Sequence, residues 1–301
     1  MRFARTGPWI AAAAAITVAY TIGPMRASFR PSAAAAVAIS APQVHPLAFF
    51  DERTFALALA RGSAAAAPGR GVRAILIPHH WFAADLIVQG LRSLAENTDV
   101  GRVVLIGPNH IGSGGATFAT SRFPWHVPGG LLQPDTATIE SMAASGMAGI
   151  LPDVLSHEHS VAGLVPAVAH FFPDASVIPI AVHARPSPFE LDAMAAKLAG
   201  LLEDPGTVLV TSVDFSHYRS SAESALRNAE SIDAIRSFDT GRILGFGNEH
   251  MDSPATIALL LETMRLAGAR RFTLWANTNS SRFGGPSTAP NVTSYITGSF
   301  S

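Results

Sequence analysis

Histidines and an aspartate directly follow three apolar runs in this sequence. They are His79 and His80 after "RAILIP", His110 after "VVLIGPN", and Asp214 and His217 after "TVLVTSV". Imidazoles and carboxylates suit Fe, Zn, Cu or Mn, and two histidines with one further N or O ligand leave positions open for substrate or O₂. The chain contains no cysteine, which excludes thiolate ligands, thiol catalysis and disulfides. These residue types therefore indicate a thiol-free transition-metal site.

Apolar runs of strand length alternate with helical patterns along the chain. The runs are at 73–78, 103–107, 176–182, 207–213, 272–277 and 292–300, and the clearest helical patterns are at 82–96, 188–203 and 254–268. The runs are continuously apolar, which is typical of strands buried on both faces of a sheet. This order predicts a single-domain α/β sandwich over 45–301, with a central mixed or mainly parallel sheet flanked by helices.

The polar residues fall where these predicted strands end. In open α/β sheets the ligand crevice lies beyond the carboxyl ends of the strands, so residues far apart in sequence would meet at one rim. His183 and Asn277 also end predicted strands, and His183 is expected to bond to a neighbouring loop. The remaining isolated histidines are expected in solvated or hydrogen-bonded positions on loops and helix surfaces; they are His45, His126, His157 and His170.

The stretch "EHSVAGLVPAVAHFF" (158–172) begins with Glu158 and His159 and continues with helical periodicity. One interpretation is simple helix capping, with a carboxylate near the positive end of the helix dipole. The other is that Glu158 and His159 reach into the crevice and orient the ligand imidazoles. The residue types alone leave both interpretations open.

Composition limits the classes of ligand. The 301 residues carry a formal net charge of −1, only 14% are charged, and no long basic run is present, so we expect no nucleic-acid partner. The stretch "GPNHIGSGG" has neither GxGxxG spacing nor a GK[ST] element, so it does not predict a nucleotide-phosphate loop. A small molecule is the expected substrate.

The first 30 residues have the layout of an export signal. Arg2 and Arg5 precede an apolar run that reaches about Gly23, which fits a cleaved signal peptide or an uncleaved membrane anchor. Residues 31–44 are rich in Ala, Pro and Ser and are expected to be a linker. The sequence thus predicts an exported protein that is periplasmic or membrane-anchored, with any membrane association through this segment.

Five motifs in order give a family resemblance: "PHH", "GPNH", "EHSVAGLVP", "SVDFSHY" and "NTNSSRFGG". Together they resemble the Memo family, whose bacterial members are called AmmeMemoRadiSam system protein B, over essentially residues 45–301. The resemblance implies a fold like that of the class III extradiol (LigB-type) dioxygenases and a non-haem Fe(II)-type site. The family's site residues fall on His79, His110, Asp214 and His217, and their surroundings are expected to include Glu158, His159, His80, Asn109 and Asn277.

The sequence departs from the family pattern at two motifs. His80 and Trp81 follow His79, where the family usually has Ala-Gly-aromatic. The family's Cys-Gly-x-x-Pro motif aligns with "HMDSP", so that His250 stands in place of the thiol and Glu249 precedes it. We therefore expect His250 or Glu249 to complete a metal site with His79 and His110, the alternative being a loop whose polar side chains only cap a helix.

The predicted function is a metal-dependent oxidoreductase similar to a dioxygenase. Fe(II) is the expected metal, with Zn or Cu as alternatives. His217 would act as general acid or base while Asp214 fixes its tautomer. Two other hypotheses use the same crevice: a non-catalytic metal- or ligand-binding partner protein at the cell envelope, and a metal-assisted hydrolase with Asp214 or Glu158 as base.

Overall fold

The structure is a computed structural model that describes residues 43–62, 71–284 and 292–301. The export segment predicted over 1–30 lies outside these residues, as does the predicted linker over 31–44 except for its last two positions. The described residues form one compact unit. Within the described ranges, no helix is long and apolar enough to cross a membrane.

The main sheet is built around four parallel strands. In spatial order they are β1 (Ala74–Ile77), β8 (Thr207–Ser212), β2 (Arg102–Pro108) and β7 (Ser176–Val182). Two antiparallel strands continue the sheet beyond β1, namely β11 (Val292–Phe300) and β10 (Phe272–Asn279). All six coincide with the predicted apolar runs, and the mixed sheet that was expected is confirmed.

Five short strands were not predicted from the sequence. They are β3 (Phe118–Thr120), β4 (Trp125–Val127), β5 (Gly130–Leu132), β6 (Gly149–Ile150) and β9 (Phe215–Arg219). Strands β3 and β6 extend the sheet beyond β7, β9 pairs with β11, and β4 with β5 forms a separate hairpin. Each of these short segments includes a polar residue or a glycine, so none forms a continuous apolar run such as the one that contains β1.

Helices cover both faces of the sheet. They are α1 (Glu52–Arg61), α2 (Ala84–Asn97), α3 (Thr136–Ala144), α4 (Pro152–His157), α5 (His159–Ala162), α6 (Val165–Phe171), α7 (Pro188–Leu201), α8 (Ser221–Ser237), α9 (Thr240–Leu244) and α10 (Pro254–Leu266). The predicted helices at 82–96, 188–203 and 254–268 correspond to α2, α7 and α10. The helical pattern of 158–172 is divided into α5 and α6, with Pro166 in the first turn of α6, where its missing N–H costs no hydrogen bond.

Two apolar layers form the core, one on each face of the sheet. In β1, Ala74 and Leu76 face the layer that contains α7 and α10, whereas Ile75 and Ile77 face the layer that contains α2 and α6. Because both faces are covered, the parallel strands are apolar at nearly every position. This explains why these strands read as continuous apolar runs in the sequence.

The parallel strands place the polar residues at one rim. Strand β8 lies between β1 and β2, and all three run in the same direction. The residues that follow them are His79 after β1, Asp214 after β8 and His110 after β2. The strand order therefore brings three positions that are distant in sequence to adjacent places at the carboxyl edge.

His45 is hydrogen-bonded, as one of the two expected alternatives had it, but it lies in the interior and not on the surface. Its side chain is buried and its ring stacks on Trp125 at 3.9 Å between centroids. Its Nδ1 lies 2.7 Å from Ser156 Oγ and its Nε2 lies 2.6 Å from Ser121 Oγ. Burial lowers the pKa of His45 to about 4, so this histidine is a neutral structural group. It joins the start of the described chain to the domain.

Candidate metal centre

Three imidazoles meet at the rim of the sheet. His79 follows β1, His110 follows β2, and His159 begins α5. One ring nitrogen from each lies within 4.8 Å of the other two. The ring of His110 stacks on that of His159 at 4.4 Å, and the ring of His79 lies edge-on to both at 5.2 and 5.0 Å. His159, which was expected to be a supporting residue, is thus a member of the cluster itself.

Glu158 fixes the ring of His110 and lies close to that of His159. Its buried carboxylate lies 2.8 Å from Nδ1 of His110 and 3.4 Å from Nδ1 of His159. The carboxylate also accepts the backbone N–H groups of His110 at 2.7 Å and Ser160 at 2.9 Å. With Nδ1 engaged in this way, Nε2 of His110 is left for a ligand, which is the usual arrangement of an oriented metal-binding histidine. The same carboxylate caps α5. Glu158 therefore both caps a helix and orients an imidazole, the two interpretations that the sequence left open.

His79 is held by Ser212 at the end of β8 and by Asp214, two residues further along the chain. Its Nδ1 lies 3.0 Å from Ser212 Oγ, and its backbone N–H donates to Asp214 Oδ1 at 3.1 Å. Asp214 Oδ2 is 3.8 Å from Nε2 of the same ring. These contacts set the orientation of a histidine whose side chain is only 3% exposed.

Asp252 is a site residue that sequence reasoning missed. Its Oδ2 lies 3.2 Å from Nε2 of His79 and 3.5 Å from Nε2 of His110. Its side chain is 8% exposed, and its Oδ1 has no hydrogen-bond partner within the described structure. The signal was present in the sequence, because Asp252 is the only carboxylate in the "HMDSP" motif that had been singled out.

The carboxylates change the protonation of the cluster. Burial by itself would lower the pKa of His79, but the nearby carboxylates of Asp214 and Asp252 outweigh it, so the pKa is raised. Burial also opposes the protonation of His110, yet Asp252 and Glu158 raise the pKa of that residue to about 10. Burial and the two neighbouring positive rings lower the pKa of His159 to about 4. Burial would raise the pKa of Asp252, but its contacts with His110 and His79 hold it well below its usual range.

The structure does not bring His250 or Glu249 to this cluster. His250 Nε2 lies 2.5 Å from Glu230 Oε2 on α8, and its ring stacks on Phe246 at 3.9 Å. Glu249 Oε1 lies 3.5 Å from Nδ1 of His250. The expectation that one of these two completes the site finds no support in the geometry, because α8 engages His250 and His159 arrives from α5 instead.

The expected pair of Asp214 and His217 is also not formed. Asp214 is bonded to the backbone of His79, as described above, and the ring Nδ1 of His217 is buried without a hydrogen-bond partner in the described part of the chain. Asp214 therefore cannot fix the tautomer of His217 in this arrangement. It holds His79 instead.

Three other predicted neighbours make contacts away from the cluster. His80 Nδ1 lies 2.8 Å from the hydroxyl of Tyr295. The side chain of Asn109 bonds to the backbone of Gly112 and Ser113 and so shapes the turn after β2. Asn277 accepts a hydrogen bond from Asn228 at 2.6 Å, in a separate polar group beside α8. None of the three orients an imidazole of the cluster through these bonds.

Two cavities open beside the cluster. One, of about 530 Å³, has a floor of His79, His110 and His159 and walls that include Phe49, Trp81 and Tyr218. The other, of about 340 Å³, lies against His110 and Asp252. His217 borders both cavities. A small molecule could therefore approach the histidines from an apolar, partly aromatic side.

The wall of the larger cavity of this pair contains strained backbone. Phe49 and Tyr218 have φ values of 56° and 57°, in the left-handed region that bulky residues seldom adopt. Both side chains are also well exposed, at 50% and 70%. Such strain persists where the surrounding structure imposes it, and it is enriched at ligand sites.

The mixed sheet with helices on both faces, and the thiol-free group of histidines at its carboxyl edge, define an α/β protein with a candidate metal centre. The sequence profile described as "Memo-like protein" matches residues 53–298. The chain belongs to this Memo-like family.

Individual relatives agree with this assignment, and one solved structure shares the fold. A MEMO1 family protein of Thermotoga maritima is 30% identical over 46% of this chain and 50% of its own length. A MEMO1 family protein of Methanosarcina acetivorans is 29% identical over 62% of this chain and 71% of its own length. The chain spans about half the length of the first curated relatives it matches. An uncharacterized protein of Escherichia coli K12 shares the fold, with a TM-score of 0.50 and 11% identity over 75% of this chain and 99% of that one.

Proposed function

We propose that this protein is a metal-dependent oxidoreductase whose ion is held by His79, His110 and His159 and whose substrate is a small molecule. The observation that carries the proposal is the convergence of three ring nitrogens within 4.8 Å of one another at the floor of a cavity. The donor set fits a metal, because imidazoles with a buried carboxylate nearby suit Fe(II), Mn and Zn. We expect the ion to be Fe(II) and the reaction to be similar to that of the class III dioxygenases.

The residues of the chain would have distinct tasks in such a reaction. The bound ion would supply Lewis acidity and, if it is iron, redox chemistry with O₂. Glu158 and Ser212 hold the Nδ1 sides of His110 and His79 and keep those rings in place. The aromatic walls would exclude water from the bound molecule. His217 would exchange a proton through Nε2, since its Nδ1 is enclosed.

Metal analysis of protein purified without O₂ tests this proposal. We expect about one iron per wild-type chain, the stoichiometry of a single centre, and O₂ consumption with a small diol such as catechol. His159→Ala and His110→Ala should lose both the metal and the O₂ consumption. His170→Ala is the matched control, because this histidine is exposed and lies outside the cluster.

Two results would overturn the proposal. Wild-type protein without stoichiometric metal, even after incubation with Fe(II), would show that the cluster is not a metal centre. Tightly bound zinc with no O₂ dependence would reject the oxidoreductase and favour metal-assisted hydrolysis at the same residues.

A further inference from the structure

We propose that Asp252 is a fourth ligand of this centre and that its carboxylate takes the place of the thiolate in the family's Cys-Gly-x-x-Pro motif. The inference rests on the proposed metal site and adds a residue to it. The sequence comparison with the family motif places His250 in the position of the thiol. The inference instead gives the thiol's role as a ligand to Asp252, two residues further along the chain.

The first argument is the position of Asp252 Oδ2. It faces Nε2 of His79 at 3.2 Å and Nε2 of His110 at 3.5 Å, the ring atoms left free once Ser212 and Glu158 engage the two Nδ1 atoms. Two donors that share one ion at bond lengths of about 2.0–2.2 Å lie roughly 3–3.5 Å apart. The carboxylate oxygen thus already has the spacing of a ligand that shares an ion with both histidines.

The second argument is that Asp252 has an unused oxygen in a buried place. Its side chain is 8% exposed, and Oδ1 has no partner among the described residues, although a buried polar atom normally has one. Its Oδ2 accepts only the backbone N–H of Asp214 at 3.2 Å besides facing the imidazoles. A bound cation would satisfy a carboxylate that the protein otherwise leaves short of partners.

The third argument is that the backbone fixes Asp252 beside the cluster. Its N–H donates to the carbonyl of Asp214 at 3.0 Å, and Met251 forms a bridge with Phe215. The segment before α10 is therefore tied to the residues that follow β8. His250 is excluded from this position by its bond to Glu230 and its stacking on Phe246.

A carboxylate in place of a thiolate changes the chemistry of the centre. A carboxylate beside imidazoles suits Fe(II) and Mn(II), whereas thiolates favour softer ions such as Cu(I). A carboxylate also cannot be oxidised as a cysteine thiolate can. We therefore expect the centre to discriminate against copper(I) and to withstand oxidants that modify thiols.

A cysteine scan with Co²⁺ tests the assignment directly. The chain has no cysteine, so a thiolate-to-cobalt charge-transfer band in the near-ultraviolet can come only from an introduced residue. We expect Asp252→Cys loaded with Co²⁺ to show this band. His250→Cys, which places the thiol where the alignment would have it, is the matched control and should show none.

The outcomes separate this inference from the proposed function. If wild-type protein does not bind Co²⁺ at all, the metal site itself fails. If wild-type protein binds Co²⁺ but the band appears in His250→Cys and not in Asp252→Cys, the site stands and the assignment of Asp252 is wrong.

The affinity of Asp252→Asn for Co²⁺ is a second measurement. We expect it to be lower than that of wild type by more than about tenfold, because the loss of a residue that only supports a metal ligand already has an effect of this size. Unchanged binding in a folded Asp252→Asn protein would contradict the inference.

Discussion

At the scale of single residues, Glu158 determines how the ring of His110 faces the cavity. Its carboxylate bonds to Nδ1 of His110 and to two backbone N–H groups, and it lies 3.4 Å from Nδ1 of His159. A neutral amide in its place would keep the size but lose the negative charge that holds the ring of His110. Glu158 therefore acts on a metal only through the histidines, as a positioning residue.

We predict that Glu158→Gln lowers the affinity for Fe(II) or Co²⁺ by about 10- to 100-fold, as is typical for the loss of a carboxylate behind a metal-bound histidine. Competition with a chelating dye measures the change. Glu140→Gln is the control, because Glu140 is exposed and its contact with Arg122 lies outside the cluster. An equal loss in the two variants would show that the effect is not one of positioning.

Protonation of the cluster makes metal binding dependent on pH. The pKa of His110 is about 10, so its ring carries a proton at pH 7 in the metal-free protein, and the pKa of His79 is shifted in the same direction. Because only neutral imidazole binds a metal, binding should release at least the proton of His110, and the affinity should rise with pH. Calorimetry in buffers of different ionisation enthalpy counts the released protons. Binding without proton release would contradict the assignment of His110 as a ligand.

The raised pKa of His110 makes the stability of the metal-free protein fall with rising pH, whereas the affinity for metal rises. A raised pKa in the folded state stabilises the fold below the ordinary histidine value of 6.5. For His110 this contribution to the free energy of unfolding is lost as the pH rises toward about 10. Raising the pH should thus weaken the metal-free protein through His110 while it strengthens metal binding.

The residues of the site were only partly predictable from the sequence. His79 and His110 follow continuously apolar strands of a parallel sheet, and the carboxyl ends of such strands bring these residues together. Asp252 and His159 begin or precede helices, and no local pattern shows which way such a side chain points. His250 was expected in the site because it stands in the position of the family's thiol, whereas its bond to Glu230 on α8 depends on tertiary packing.

At the scale of elements, the contact between β2 and α5 sets the position of His159. A Cβ at Gly107 would lie 2.6 Å from Ser160 Oγ and 3.0 Å from Ser160 Cβ, so the short helix rests on a strand residue without a side chain. Ser160 Oγ also donates to the carbonyl of Pro108 at 2.9 Å. This close approach carries the ring of His159 to that of His110.

We predict that Gly107→Ala displaces α5, lowers the free energy of unfolding by about 1–3 kcal/mol as overpacking does, and weakens metal binding. Chemical denaturation and a metal titration measure the two effects. Gly101→Ala is the matched control, since a Cβ there meets nothing within 4 Å. If Gly107→Ala binds metal as wild type does, the close contact of strand and helix is not what places His159.

Elements were predicted best where they are long and packed on both sides. The six apolar runs and the helices α2, α7 and α10 all have at least one full period of their pattern. The short strand β9 is largely polar and α5 has only four residues, so neither shows its period in the sequence. The break between α5 and α6 also reflects tertiary packing, because a Cβ at Gly163 would lie 3.1 Å from the backbone oxygen of Phe49.

At the scale of the whole molecule, the strand order makes the site. His79, Asp214 and His110 become neighbours because β8 is inserted between β1 and β2, and both core layers bury this central part of the sheet. The alternation of strands and helices predicted the class of fold. It did not predict the order of the strands, which depends on how each connection crosses the sheet.

The N-terminal 30 residues lead to a prediction for the whole chain. Their Arg-flanked apolar run predicts export, so the full chain should fractionate with the periplasm or the membrane in a bacterial host. A chain starting at residue 43 should stay in the cytoplasm of the same cells. Fractionation beside marker proteins measures both, and cytoplasmic retention of the full chain would contradict the prediction of export.

The most direct test of the metal centre is a crystal structure of the protein loaded with Fe(II) or Co²⁺, with the ion located by its anomalous scattering. We expect one ion at about 2.0–2.2 Å from a ring nitrogen each of His79, His110 and His159. An ion bound instead between His250 and Glu230, or no ordered ion in a loaded crystal, would contradict the account.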